Sequence, residues 1–177
     1  MFSDPHTILA QLPIMSGSSV ADLGSGTGAY TLAAATMVGP TGKVYACDVQ
    51  KDMLVRLQNE ARDRGLSMVQ TIHSNIEAKM GTKLRDQSID WVIVANVLFQ
   101  SEDREGLATE IARILKPDGS VLLVDWTESF GNLGPHIKDI IPEQEAVTLF
   151  ANHGLHQSPK IIDAGAHHYG ILLKKTL

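Results

Sequence analysis

The stretch Val20-Ala21-Asp22-Leu23-Gly24-Ser25-Gly26-Thr27-Gly28-Ala29-Tyr30 decides how the rest of the chain is read. Val20 to Leu23 has the look of a short buried strand. Beyond the glycines, Tyr30, Ala33, Ala34, Met37 and Val38 recur at helical spacing. Glycines at a strand-to-helix junction let the chain turn sharply and let a ligand approach the backbone closely. The helix that follows offers free amides and the positive end of its dipole. The pattern alone is not specific, because Gly24, Gly26 and Ala29 also satisfy the dinucleotide fingerprint G-x-G-x-x-A. Asp48 ends the next strand-like segment, and its carboxylate can accept both hydroxyls of an adenosine ribose. Loop and acid together predict an adenosine cofactor. Asp22 narrows the choice: a carboxylate facing a pyrophosphate would repel it, whereas it suits a ligand carrying an ammonium and a sulfonium.

Working outward, strand-like and helix-like segments alternate. Asp4-Pro5 opens a short helix that runs to Pro13, with Asp4 as cap and Pro5 at the first helical position. Lys43 to Cys47 is the second strand, and a helix carrying Met53, Leu54, Leu57 and Ala61 follows it to Gly65. Ser67 to His73 is the third strand. Residues 76–87 are ambiguous, since Ile76, Met80 and Leu84 fit one helix face but Gly81 sits among them. Ile89 to Ala95 is the fourth strand. Ser101 is placed to cap a helix bearing Leu107, Ile111, Ile114 and Leu115, which Lys116-Pro117-Asp118-Gly119 stops. Ser120 to Trp126 is the fifth strand. Residues 127–141 read as a long loop, and Pro142 starts a helix that ends at Gly154. Segments 155–162 and 167–174 are too closely joined for anything but a hairpin. The alternation predicts an α/β fold: a Rossmann-like, doubly wound, seven-stranded sheet. It is mostly parallel with an antiparallel last strand and helices on both faces.

With 177 residues, 44% of them hydrophobic, the chain is expected to form one domain with a sizeable core. A net charge of −5 is the wrong sign for a nucleic-acid binder. No Lys or Arg precedes Lys43, so neither a secretory nor a transit signal is predicted. No apolar run is long enough to insert in a membrane, and the chain reads as cytoplasmic. Cys47, the single cysteine, lies in an apolar run and reads as a small buried hydrophobe. The seven histidines match no zinc spacing, so no metal site is predicted.

Taken together, these segments resemble the class I S-adenosylmethionine-dependent methyltransferases, in particular the small bacterial branch related to the ubiquinone/menaquinone-biosynthesis enzymes. Val20 to Thr31 is similar to that family's first motif, and Tyr45-Ala46-Cys47-Asp48-Val49-Gln50 to its second-strand acidic motif. Ile89 to Leu98 resembles the fourth-strand motif, and Glu110 to Gly119 the segment R-x-L-K-P-G-G. The resemblance implies S-adenosyl-L-methionine as cofactor, S-adenosyl-L-homocysteine as product and a small-molecule acceptor. It implies that Gly24, Ser25, Gly26, Thr27, Gly28 and Tyr30 line the methionine part, with Asp22 toward its amino group. Asp48 would bind the ribose hydroxyls and Val49 would pack on the adenine. Asn75, by side chain, and Ile76, by backbone amide, would meet the adenine edge. Ala95 and Asn96 would close the site beneath the methionine. The chain departs from the pattern at Asn75, where relatives carry Asp, at Gln100, where many carry His, and at Asp118, which replaces a glycine.

Several of these residues also have plainer duties open to them. Asn75 could form a turn, Asn96 could satisfy backbone at a strand end, and Tyr30 could simply pack. Trp91 reads as core, while Trp126 stands between substrate wall and packing. Methyl transfer from a sulfonium needs no acid for the leaving group, and no dedicated base stands out among His136, His167, His168 and Asp125. A single-domain NAD(P)-dependent oxidoreductase and a non-catalytic cofactor-binding protein are the alternatives. Only residues 1–16, as an N-terminal lid helix, and the 127–141 loop remain for acceptor recognition. That implies a small acceptor, an open pocket, or a homodimer whose second subunit supplies a wall.

Overall fold

The computed structural model describes residues 4–130 and 134–176. Its elements are α1 (Pro5–Leu9), β1 (Ser19–Leu23), α2 (Ala29–Val38), β2 (Lys43–Asp48), α3 (Lys51–Asp63), β3 (Val69–His73), β4 (Ile89–Ala95), α4 (Arg104–Ile114), β5 (Leu115–Trp126), α5 (Glu143–Ala151), β6 (Leu155–Ile162) and β7 (His168–Lys175). The sheet order is β3-β2-β1-β4-β5-β7-β6. The first five strands are parallel, and β7 runs antiparallel between β5 and β6. The expected seven-stranded, mostly parallel sheet is therefore present. The order reverses between β1 and β4, the place where open α/β sheets bind ligands beyond the carboxyl ends of their strands.

Because strand side chains alternate, β4 feeds two cores. Trp91 and Ile93 join Leu9, Leu32 and Leu57 on one face, while Val92 and Val94 join Leu107, Ile111 and Phe150 on the other. Trp91 is core, as its position on the strand predicts. Cys47 is fully buried, and that burial pushes its thiol up to about 12. The edge strand β6 carries Pro159, and its pairing with β7 slips between Gln157 and Ile161. A residue without an N–H is tolerated at such an edge.

Four expectations need correction. α1 ends at Leu9 rather than running to Pro13, and β3 begins at Val69 rather than Ser67. α4 is capped by Asp103, whose carboxylate accepts from Gly106 N at 2.8 Å, not by Ser101. Ser101 instead follows a 3-10 turn over Leu98–Gln100 in extended backbone. The stop signal Lys116–Gly119 lies inside β5: Ile89 pairs with Leu115, Trp91 with Ser120, and the residues between loop out. Asp118 takes a left-handed φ of 62° there, a conformation that glycine adopts freely and that Asp, among the more tolerant residues, can also hold.

Residues 76–87 form turns, not a helix. Gly81 packs so tightly that a Cβ would stand 1.8 Å from the Asn75 carbonyl oxygen. The segment is held by Glu110 on α4, which accepts from Met80 N (3.0 Å), Thr82 N (3.0 Å) and Thr82 Oγ1 (2.6 Å) and pairs with Arg113 (2.7 Å). Just after α1, the Gln11 side chain donates to the Asp163 carbonyl (2.8 Å) and accepts from Asp163 N (2.9 Å). Lys160 Nζ donates to the Gln11 carbonyl. The N-terminal segment is thereby fastened to the β6–β7 turn.

Candidate functional site

Two adjoining cavities open at the carboxyl ends of β1, β2 and β4. The larger, about 440 Å³, is lined by Asp22, Gly24, Ser25, Gly26, Thr27, Tyr30, Ala95 and Asn96. Pro5, Ala29, Gln100, Trp126 and His168 complete its wall. The smaller, about 220 Å³, is lined by Asp48, Val49, Gln50, Asn75, Ile76, Glu77 and Val97. Gly24, Gly26 and Gln100 border both, so the two are lobes of one cleft. A larger cavity of about 600 Å³ lies elsewhere, beside α4 and α5, and contains none of these residues.

The glycine loop has the geometry its sequence asks for. Gly24 and Gly28 have φ of +75° and +85°, and a Cβ on either would fall within 2.5 Å of Val97 or Leu57 side-chain carbons. Only glycine satisfies both demands. Gly26 differs, because a Cβ there would meet nothing within 4 Å: its Cα faces open cleft. Gly28 caps α2 without a side-chain hydrogen bond, so no side chain competes for the first amides of that helix.

Asp48 is buried and holds the loop. One carboxylate oxygen accepts from Gly26 N (2.8 Å), the other from Gln50 N (2.8 Å). A carboxylate has about four acceptor sites, so lone pairs remain for a ligand. Val49 beside it is 59% exposed and forms cleft wall rather than core. Asp22, only 2% exposed, accepts from Thr31 Oγ1 at 2.6 Å. Burial pushes its carboxyl up to about 6, against the pull of the Thr31 hydrogen bond.

Asn75 lines the smaller lobe, but its Oδ1 also accepts from Glu77 N at 3.0 Å. It is a turn former and a wall residue at once. Ile76 is buried at the same lobe. Asn96 has a left-handed φ of 58°, its N donates to the Val124 carbonyl at 2.8 Å, and its Oδ1 is buried without a partner. Tyr30 is 9% exposed, and it both packs in the core and lines the larger lobe.

The four suggested bases separate. Asp125 is 1% exposed, and its carboxylate accepts from Leu98 N (2.9 Å) and Trp126 N (2.8 Å); it braces the chain beneath the cleft. His136 is exposed and lines neither lobe. His167 pairs with Glu128 at 2.7 Å and stacks on Phe130. His168 alone lines the cleft, with its ring 4.2 Å from that of Trp126. Within the expected 127–141 loop, Gly131 and residues 132–133 lie outside the described residues, as do residues 1–3 of the N-terminal segment. Pro5 brings that segment to the cleft.

Sequence reasoning gave Gln100 no role, although its Nε2 donates to the Asn96 carbonyl at 2.9 Å and it borders both lobes. Pro5 and Val97 were likewise unforeseen. Their places depend on chain returns that no local spacing records.

A family model described as methyltransferase domain matches residues 14–163. The demethylmenaquinone methyltransferase of Geobacillus sp. (strain WCH70) is 29% identical over 120 residues, covering 68% of this chain and 50% of that protein. The ubiquinone/menaquinone biosynthesis C-methyltransferase UbiE of Hahella chejuensis is 31% identical, covering 65% of this chain and 45% of that protein. The chain thus spans about half the length of the curated relatives it matches. A crystal structure of a SAM dependent methyltransferase from Aquifex aeolicus superposes with TM-score 0.88 at 24% identity, covering 99% of this chain and 91% of that one. The [4+2]-cyclase SpnF shares the fold with TM-score 0.81 at 15% identity over 98% of this chain and 80% of that one. Its name attaches a different reaction to the same architecture. From the family model and the relatives, the chain belongs to the methyltransferase-domain family, among the class I S-adenosylmethionine-dependent methyltransferases.

Proposed function

We propose that the chain binds S-adenosyl-L-methionine across the two-lobed cleft and transfers its methyl group to a small-molecule acceptor. The observation that carries this reading is the continuity of the two lobes, with Asp48 lining one, Asp22 the other, and Gly24 and Gly26 bordering both. The residues fit such a cofactor. Open space over Gly26 gives it room, and two orphaned groups belong to residues lining the larger lobe: the Ser25 hydroxyl, which can donate or accept, and Asn96 Oδ1, which can accept.

In this reading Asp48 holds the ribose hydroxyls with the lone pairs that Gly26 and Gln50 leave. Val49, Asn75 and Ile76 form the adenine lobe. Asp22, Gly24, Ser25, Gly26, Thr27, Tyr30, Ala95 and Asn96 form the methionine lobe, while Gly28 lies behind its lining, packed against Leu57. Bound there, the cofactor supplies an electrophilic methyl on a sulfonium. The chain's task is to align the acceptor with it and keep water out. The segment at Pro5 and the 134–141 stretch serve as the lid on the acceptor side.

A buried carboxylate in the larger lobe is ill suited to a pyrophosphate, so Asp22 disfavours a nicotinamide dinucleotide. The acidic net charge of −5 favours a small acceptor over a nucleic acid, and we place the protein in the cytoplasm. The test is thermal. S-adenosylhomocysteine at 100 times its dissociation constant should stabilise the chain by about 2.7 kcal/mol, and NADH should not. Asp48→Ala should abolish the shift. No shift with either S-adenosylmethionine or S-adenosylhomocysteine would sink the proposal. Binding without turnover over a panel of acceptors would leave a non-catalytic binding protein.

A further inference from the structure

Two side chains at the outer wall of the larger lobe stand apart from the cofactor residues: Trp126 and His168, the latter with an orphaned ring nitrogen. His168 Nδ1 lies 3.0 Å from the Ala166 carbonyl oxygen. A carbonyl can only accept, so Nδ1 carries the hydrogen, and in the neutral ring Nε2 is left as a lone-pair acceptor. Burial lowers the proton affinity of this ring; the Ala166 carbonyl opposes that shift, and the neighbouring His167 adds to it. The imidazole is therefore neutral near pH 7. Its Nε2 is buried and finds no partner.

Charge complements this. None of the thirteen lining residues of the lobe is Lys or Arg, and one is a carboxylate, Asp22. Two cations of flanking segments face backbone instead: Lys160 donates to the Gln11 carbonyl, and Arg104 Nε to the Leu98 carbonyl at 3.1 Å. An acceptor bearing a phosphate or carboxylate would find no cationic side chain in the lobe to offset its desolvation.

Resting on the methyltransferase reading above, we propose that the Trp126–His168 wall selects an uncharged acceptor carrying an O–H or N–H, which donates to His168 Nε2. Because Nε2 is sealed from bulk water, the acceptor reaches it by shifting the Trp126–His168 pair. Gly134, whose missing Cβ would stand 2.9 Å from the six-membered ring of Trp126, backs that pair from the lid stretch. His168 is thus a specificity residue, and an acceptor lacking the hydrogen would leave a buried nitrogen unpaired.

The experiment uses the whole chain saturated with S-adenosylhomocysteine and three aromatic probes: 2-naphthol, 2-methoxynaphthalene and 2-naphthoate. Calorimetry should find 2-naphthol bound about 10-fold or more tighter than either of the others, the cost of an unmet buried hydrogen bond. His168→Phe should bring 2-naphthol and 2-methoxynaphthalene to within about 2-fold while S-adenosylhomocysteine affinity stays unchanged. His168→Gln, which keeps an acceptor oxygen, should restore part of the ratio, and it serves as the folded variant if the phenylalanine form does not fold. Equal or tighter binding of 2-naphthoate overturns the proposal. So does a ratio that survives in His168→Phe, a His168→Gln no better than phenylalanine, or no binding of 2-naphthol at all. Failure of S-adenosylhomocysteine to bind the unaltered chain would instead overturn the cofactor reading, so the two failures are distinguishable.

Discussion

The carboxyl ends of β1 and β5 each bury an aspartate, and burial pushes both carboxyls up to about 6. Their partners differ. Asp125 on β5 gives one oxygen to Leu98 N and the other to Trp126 N, so its charge is spent on the chain's own backbone. Asp22 on β1 is held by Thr31, whose hydroxyl donates to it at 2.6 Å, and it borders the cleft. The same burial thus has two settings: one aspartate braces the fold, and the other borders the cleft, where the proposed function has it meet a cationic ligand. Substitutions and pH can pull the two apart.

The largest effect is expected at Asp125→Ala. Two backbone amides, the one at Leu98 buried and the one at Trp126 partly buried, lose their acceptor, which should cost about 2–4 kcal/mol in urea unfolding. An unchanged midpoint would mean that the brace is not one. Asp22→Asn should do the opposite to the free protein, raising stability at pH 7 by about 1–3 kcal/mol because a buried charge is removed. The same change should weaken S-adenosylmethionine binding about 100-fold, and calorimetry on the purified variant checks both halves. Lower stability together with intact affinity would erase the contrast with Asp125.

A pH series sharpens it further. The cofactor's cation favours ionised Asp22, so affinity should fall as pH drops through about 6, approaching tenfold per unit below it. Asp22→Asn should flatten that slope. The free chain should respond with the other sign: Asp22 protonates in the folded state before it does so unfolded, so its burial cost disappears as pH falls from about 6 toward 3.8. Thr31→Val is the mildest change. Loss of the 2.6 Å hydroxyl bond should cost about 1 kcal/mol and move the affinity midpoint upward, since the ionised form loses its donor.

The sheet was legible because its causes are local. Apolar runs such as Ile89–Ala95 lie between helical spacings, and that alternation admits few topologies. Much of the lining of the proposed cofactor cleft was legible too, since glycines at a strand–helix junction and an acid after the next strand are close in sequence. Residues 76–87 defeated periodicity because Glu110, some thirty residues away, supplies the amide partners a helix would otherwise provide. Ser101 looked like a cap until a 3-10 turn consumed the residues before it. The acceptor wall was the least legible. His168 and Trp126 meet only because β7 returns antiparallel beside β5, pairing the two residues in register, and Pro5 joins them from the opposite end of the chain.

The reciprocal bonds between Gln11 and Asp163 bear on timing rather than on affinity. If Pro5 is to leave the cleft together with the segment behind it, that segment has to let go of the β6–β7 turn. Two hydrogen bonds of this kind contribute about 1–3 kcal/mol together, which corresponds to a dwell of about 5 to 150 times longer for whatever lies beneath. Should product escape by that route, the pace of turnover would be written in a glutamine some distance from the reacting atoms.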